Sequence, residues 1–361
     1  MKHLLEPLRF SHGPEMKNRF VLAPLTNQQS HEDGQLSDEE FHWLTLRAKG
    51  GFGLTMTCAS HVQAIGKGFS GQLGIWSDNH IEGLLRLATE IKSHESIAIV
   101  QLHHAGMRSP KDVIGDTPVC PSDDEKTGAR GLTNSEVKML IADFVEAAVR
   151  AEKAGFDGVE IHGAHNYILC QFFSSEFNRR DDEYGVSLNN RFRILFDIID
   201  GIRSRCHKNF MLGVRLSPER FGMRLGEVIE MAQRLMTEDN IDFLDMSLWD
   251  VFKEPEEEAF KGHTLMHYFT RLDRHNTRLG VAGKIRTPQE AEATLEAGAD
   301  WIMLGRAAML QHDFPNRYQA NPAFKPVEAP VTRAYLTQEG LSIKFQDYIR
   351  PRWPEFFVDE G

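Results

Sequence analysis

His162 and His165 stand three residues apart, with Tyr167 two residues further on, in the run His162-Gly163-Ala164-His165-Asn166-Tyr167. Three arrangements fit that spacing. The histidines can share a metal ion, although no third carboxylate or cysteine ligand stands nearby. As neutral imidazoles they can offer two N–H donors to one oxygen atom, with the Tyr167 hydroxyl at hand as a proton donor. Or they are structural and bond to each other. A second set is Gly283-Lys284 and Gly305-Arg306. Glycine permits close backbone approach and arginine adds a charge-assisted fork, which is what a phosphate needs. The same residues also suit a chain turn and a surface ion pair. Gln101 and Arg215 fall in apolar runs, where an unpaired amide or guanidinium costs on the order of several kcal/mol. Each therefore needs a partner, either a buried carboxylate or the polar edge of a heterocyclic ligand. Pro24, Thr26 and Ala59 sit at the ends of two more apolar runs. Hydrogen-bond donors dominate these positions, which suit an oxygen-rich, anionic, planar ligand.

The elements that must position these residues repeat one grammar. Ala48–Gly53 leads into Leu54–Thr57, Ala154–Asp157 into Gly158–His162, Asn240–Asp242 into Phe243–Ser247, and Ala297–Asp300 into Trp301–Gly305. Glycine or asparagine closes a helix and a short apolar strand follows. Before the second of these, Thr133 and Glu136 form a capping-box pair. Val137, Leu140, Ile141, Phe144, Val145 and Ala148 then recur at helical spacing until Gly155. Further strands are expected at Arg19–Pro24, Ile97–His103, Met211–Ser217 and Leu279–Gly283. Eight strands, each followed by a helix, predict an α/β fold, a single (β/α)₈ TIM barrel over residues 1–361. No G-x-G-x-x-G follows the first strand, which disfavours a Rossmann half. His104–Leu132 is long, Gly/Pro/Asp-rich and aperiodic, an excursion over one barrel mouth after strand 3. The tail from about residue 327 is less regular and stays unassigned. In such a barrel, function gathers at the C-terminal ends of the strands, where every residue named above falls. Phosphate is commonly held after strands seven and eight, which is where Gly283 and Gly305 stand.

Composition agrees with one large core. The 361 residues are 41% hydrophobic and 26% charged, ordinary values that exclude a disordered or collagen-like chain. The formal charge of −11 comes without a basic block, so no nucleic-acid partner is expected. Four cysteines, Cys58, Cys120, Cys170 and Cys206, form no C-x-x-C pair, which argues against a cysteine metal site, an iron–sulfur cluster or a disulfide scaffold. No run is long and apolar enough for a signal peptide or membrane span. A cytoplasmic protein with no membrane partner is the expectation.

Taken together these residues resemble the Old Yellow Enzyme family of flavin-dependent ene-reductases, over nearly the whole chain. The strongest motif is Ala154-Gly155-Phe156-Asp157-Gly158-Val159-Glu160-Ile161-His162-Gly163-Ala164-His165-Asn166-Tyr167, continuing through Gln171-Phe172, Asn178-Arg179 and Asp182-Glu183-Tyr184-Gly185 to Asn190-Arg191. Ala23-Pro24-Leu25-Thr26, Gln101-Leu102-His103-His104-Ala105-Gly106 and Gly305-Arg306 add weaker matches.

The resemblance implies noncovalent FMN, with NADPH or NADH as hydride donor. It implies that Pro24, Thr26, the backbone at Ala59, Gln101 and Arg215 surround the flavin. Gly283, Gly305 and Arg306 then hold its phosphate. His162 and His165 grip the oxygen of an α,β-unsaturated carbonyl or related electrophile, and Tyr167 protonates the α-carbon, with no metal involved. Cys58 stands where a glutamate is common and Val186 replaces a glycine, so the pocket shape and natural substrate stay open. Other readings of the same residues are a lyase or aldolase acting on a phosphorylated substrate, and, within redox chemistry, a quinone or nitro-ester reductase. A homo-oligomer is possible, since the segment Tyr348–Trp353 suits either a neighbouring subunit or the chain's own surface.

Overall fold

The computed structural model describes residues 3–358. Eight parallel strands close into a barrel: β1 (Phe20–Leu22), β2 (Leu54–His61), β3 (Ile97–His103), β4 (Gly158–Gly163), β5 (Met211–Leu216), β6 (Phe243–Ser247), β7 (Arg278–Ala282) and β8 (Trp301–Leu304). Each strand pairs with its neighbours in sequence, and β1 pairs with β8 to close the ring. Helices Asp38–Lys49, Ile81–Ser93, Asn134–Lys153, Leu188–Arg205, Leu225–Thr237, Leu265–Thr270, Pro288–Glu296 and Arg306–Leu310 follow the strands in turn. The expected barrel is the observed one.

Local chemistry explains the helix ends. Thr133 caps Asn134–Lys153 through the reciprocal bonds with Glu136, and Gly155 (φ +79°) takes the left-handed turn into β4. Thr287 and Glu290 repeat the same box before β8, with Pro288 in the first turn. Strand alternation then divides the core in two. One set of side chains packs outward against the helices; the other fills the barrel with Val21, Met56, Ile99, Met211, Phe243 and Trp301. Above this apolar floor the interior becomes polar.

The excursion after β3 has some structure of its own. Val119–Cys120 pairs with Arg130–Gly131, and Arg180 donates from its guanidinium to the carbonyls of Pro121 and Leu132. The motif residue Asn178 likewise bonds the carbonyls of Phe172 and Tyr184, each at 2.7 Å. The tail forms helices at Arg333–Gln338 and Ile343–Ile349. It packs on its own chain: Phe345 sits edge-on to Trp43 at 4.9 Å, and Val331 bridges to Phe357. Loose periodicity hid these helices because each is shorter than two turns. Among the described residues, no helix is long and apolar enough to cross a membrane.

Candidate active site

β4 ends in His162-Gly163, and the chain then turns through His165 (φ +60°) and Asn166 (φ +59°), two non-glycine residues in the left-handed region. Such a turn holds only if its surroundings over-determine it. The Ser217 hydroxyl accepts from the His165 amide at 3.0 Å, and Arg108 donates to the His165 carbonyl at 2.7 Å. The side-chain amide of Gln171 donates to the Asn166 carbonyl at 2.7 Å. The next residue, Tyr167, is thereby set beside His162 and His103. Its ring lies 5.2 Å from His162 and 4.3 Å from His103, centre to centre.

The two histidines meet each other rather than a common third point. His162 Nε2 lies 3.1 Å from His165 Nδ1, and His165 Nε2 lies 2.6 Å from Ser247 Oγ. An incoming oxygen therefore has to replace the imidazole–imidazole bond before both rings can face it. His162 Nδ1 is buried without a partner. Burial, reinforced by Arg215 nearby, drives both rings toward the neutral form, with His165 lowered to about 3. Burial raises the Tyr167 phenol, and the Arg108 guanidinium, 4.6 Å over its ring, works against that rise. Among the described residues no group of three or more His, Cys, Asp or Glu side chains is placed to hold a metal ion.

One layer below, Gln101 donates to Glu160 Oε1 at 2.6 Å, and Trp301 Nε1 donates to Asp245 Oδ1 at 3.0 Å. So a buried carboxylate does satisfy the Gln101 amide, while its second N–H is left over. Arg215 reaches toward Ser247 Oγ at 3.5 Å, and its Nε is buried without a partner. Pro24, Arg215, Gly283, Gly305 and Arg306 line a single cleft of about 230 Å³ that runs from β5 across to β7 and β8. Lys284, Arg286 and Trp353 complete its wall. A Cβ at Gly283 would stand 2.8 Å from the Asp250 amide, so only glycine lets the two loops approach. At Gly305 a Cβ would meet only Leu25 and Ala23, at ordinary contact distances, and would otherwise occupy open cleft. Thr26 and Ala59 do not line this cleft; the Ala59 carbonyl accepts from Gln72 at 2.6 Å.

A model of the NADH:flavin oxidoreductase / NADH oxidase family matches residues 3–323. The chain belongs to that family. YqiG of Bacillus subtilis (strain 168), named as a probable NADH-dependent flavin oxidoreductase, is 34% identical over 322 residues, 86% of either chain. The NADH:fumarate oxidoreductase of Klebsiella pneumoniae (strain 342) is 32% identical over 88% of this chain, which spans only 36% of that longer protein. In three dimensions the chain is similar to the Old Yellow Enzyme homologue of Zymomonas mobilis, with a TM-score of 0.81, 28% identity and coverage of 94% and 98% of the two chains. This member of the flavin oxidoreductase family uses FMN with NAD(P)H, which sets aside a non-redox lyase or aldolase. The residues present fit that cofactor. The cleft offers four cationic side chains, Arg215, Lys284, Arg286 and Arg306, with an open cradle at Gly305 for a phosphate, and Arg215 Nε is buried without a partner.

The spacing of motifs pointed to His162, His165, Tyr167 and the phosphate residues, and missed His103, Arg108, Glu160 and Asp245. Strand alternation carried the signal for three of them. His103 is two residues from Gln101 on β3, Glu160 two from His162 on β4, and Asp245 two from Ser247 on β6. Arg108 lies in the excursion, and nothing local marks it.

Proposed function

We propose that this flavin oxidoreductase reduces the activated C=C bond of α,β-unsaturated carbonyl compounds. FMN, held there, would supply the redox chemistry, hydride transfer from NAD(P)H to the β-carbon of the alkene. Gly283, Gly305 and Arg306 hold the phosphate, while Arg215, Gln101, Pro24, Thr26 and the Ala59 backbone surround the ring. His162 and His165 bind the substrate carbonyl oxygen. Being neutral, they donate N–H bonds where negative charge develops on that oxygen. Tyr167 gives its phenolic proton to the α-carbon, and Arg108 above its ring stabilises the phenolate left behind. The observation that carries this reading is the convergence of Tyr167 on His162, 5.2 Å away, through a turn clamped by Arg108, Gln171 and Ser217.

The test is the anaerobic visible spectrum of the purified protein. It should be yellow with FMN that is released on denaturation, bleach on adding NADH or NADPH, and recover its colour with cyclohexenone. Recovery with quinones or nitro esters but with no enone would overturn the alkene assignment.

A further inference from the structure

Glu160 and Asp245 are wholly buried in the barrel, one layer beneath Arg215 and the two histidines. The mechanism above uses neither. Each carboxyl has one oxygen satisfied from outside the pair, Glu160 Oε1 by Gln101 and Asp245 Oδ1 by Trp301. The remaining oxygens, Glu160 Oε2 and Asp245 Oδ2, are buried without a hydrogen-bond partner, and the two carboxyls lie close enough for Glu160 to add to the burial that raises Asp245. Room for this is built in. Gly280 lies beside Asp245 in register, between β6 and β8, and a Cβ there would fall 1.9 Å from both Asp245 Oδ1 and Trp301 Nε1. Two carboxylates in contact inside an apolar barrel cannot both ionise. A hydrogen bond between two carboxyl oxygens requires a proton on one of them. Arg215 is the cation next to this pair, its Cα partnered with that of Asp245 across β5 and β6.

We propose that Glu160 and Asp245 share one proton and serve as the single counter-charge to Arg215, setting how strongly Arg215 would favour negative charge on a bound flavin. They act through Arg215 and Gln101, so they are positioning residues rather than catalytic ones. The inference rests on the reading that places those two side chains against the ring.

The proton count makes the test sharp. In Glu160→Gln or Asp245→Asn the amide N–H replaces the shared proton, the other carboxyl ionises, and the pair keeps its charge. In the double variant Glu160→Gln/Asp245→Asn the charge is gone and Arg215 is unopposed. The measurement is the ratio of affinities for reduced and oxidised FMN, obtained by titrating the apoprotein with each form. Both single variants should stay within about threefold of the parent, and the double variant should favour reduced FMN by roughly tenfold or more, as expected for one charge at short range. A single variant that shifts as far as the double one, or a double variant that does not shift, overturns the counter-charge. Infrared spectra of the parent keep the question decidable should the double variant not fold. One deuterium-sensitive band of a protonated carboxyl is expected at neutral pH, lost in each single variant; its absence from the parent overturns the shared proton. A protein that meets these expectations yet reduces no alkene would count against the substrate reading and leave this inference standing.

Discussion

Tyr167 is where the proposed chemistry can be divided experimentally. Its hydroxyl is assigned only to the alkene, so Tyr167→Phe should leave reduction of the flavin by NAD(P)H within a few-fold of the parent rate. Reoxidation by cyclohexenone should slow ~10²–10⁴-fold, the usual cost of losing a positioned general acid. Reoxidation by a quinone, which needs no proton on carbon, should be spared. Stopped-flow absorbance of the flavin measures all three, and equal slowing of all three would make Tyr167 a pocket residue instead. The histidine pair gives a second readout. Phenols should bind as phenolates and give a long-wavelength charge-transfer band, because N–H donors favour the anion. His162→Ala or His165→Ala should weaken phenol binding by roughly tenfold or more, given that a hydrogen bond to a charged group contributes ~1.5–3 kcal/mol. A titration matching the parent would make the pair structural. These roles were legible because the residue types sit at the end of one strand. That the rings bond to each other was one of three arrangements the spacing left open, and the choice among them depends on ring orientation, which involves Ser247 from another strand.

At the level of elements, the β4 turn is the part under strain, and its supports come from three separate places in the chain. Gln171 is the most connected. It donates to the Asn166 carbonyl, and its Oε1 accepts from the Met107 amide at 3.2 Å, with Gln171 and Met107 both buried. Gln171→Leu would strand those backbone groups, at about 1–3 kcal/mol for each buried group left unsatisfied. The expected outcome is a lower denaturation midpoint together with loss of alkene reduction, while bound FMN is retained; unchanged activity would show that the turn holds without it. The sequence displays Gln171 inside the strongest motif, yet its partner Met107 lies in the excursion after β3, and a contact that distant leaves no periodic trace. The long helices, by contrast, were readable from caps and stripes within single windows, as with Thr133 and Glu136.

For the molecule as a whole, protons are the exposed weakness. Burial lowers His61 to about 4 and His104 and His165 to about 3, and pushes His103 and His162 lower as well. A histidine of folded value below the ordinary 6.5 is neutral in the native state and protonated in the unfolded one. Its contribution is therefore complete above pH 6.5 and declines as the pH falls toward those lowered values. Burial raises Glu40, Asp197 and Asp245, which act oppositely over the same range, but five buried histidines outnumber three acids. Stability should thus drop between pH 6.5 and about 4, by ~1.4 kcal/mol per pH unit for each unbalanced proton. Denaturant midpoints at pH 8, 6 and 5 measure this, and a midpoint that rose on acidification would refute it. The barrel itself was legible from its repeating junctions; the tail was not, because its short helices take their order from packing against Trp43 and its neighbours. One feature of the barrel reaches further. The proposed grip on phosphate is built at the ends of β7 and β8, whereas the proposed oxygen-binding and proton-donating groups come from the end of β4 and the turn after it. A lineage can therefore rework the latter arc, trying new side chains around Tyr167, without loosening its hold on the coenzyme. Inheritance of the one and experimentation with the other are separable, and a descendant can change its diet while keeping its tool.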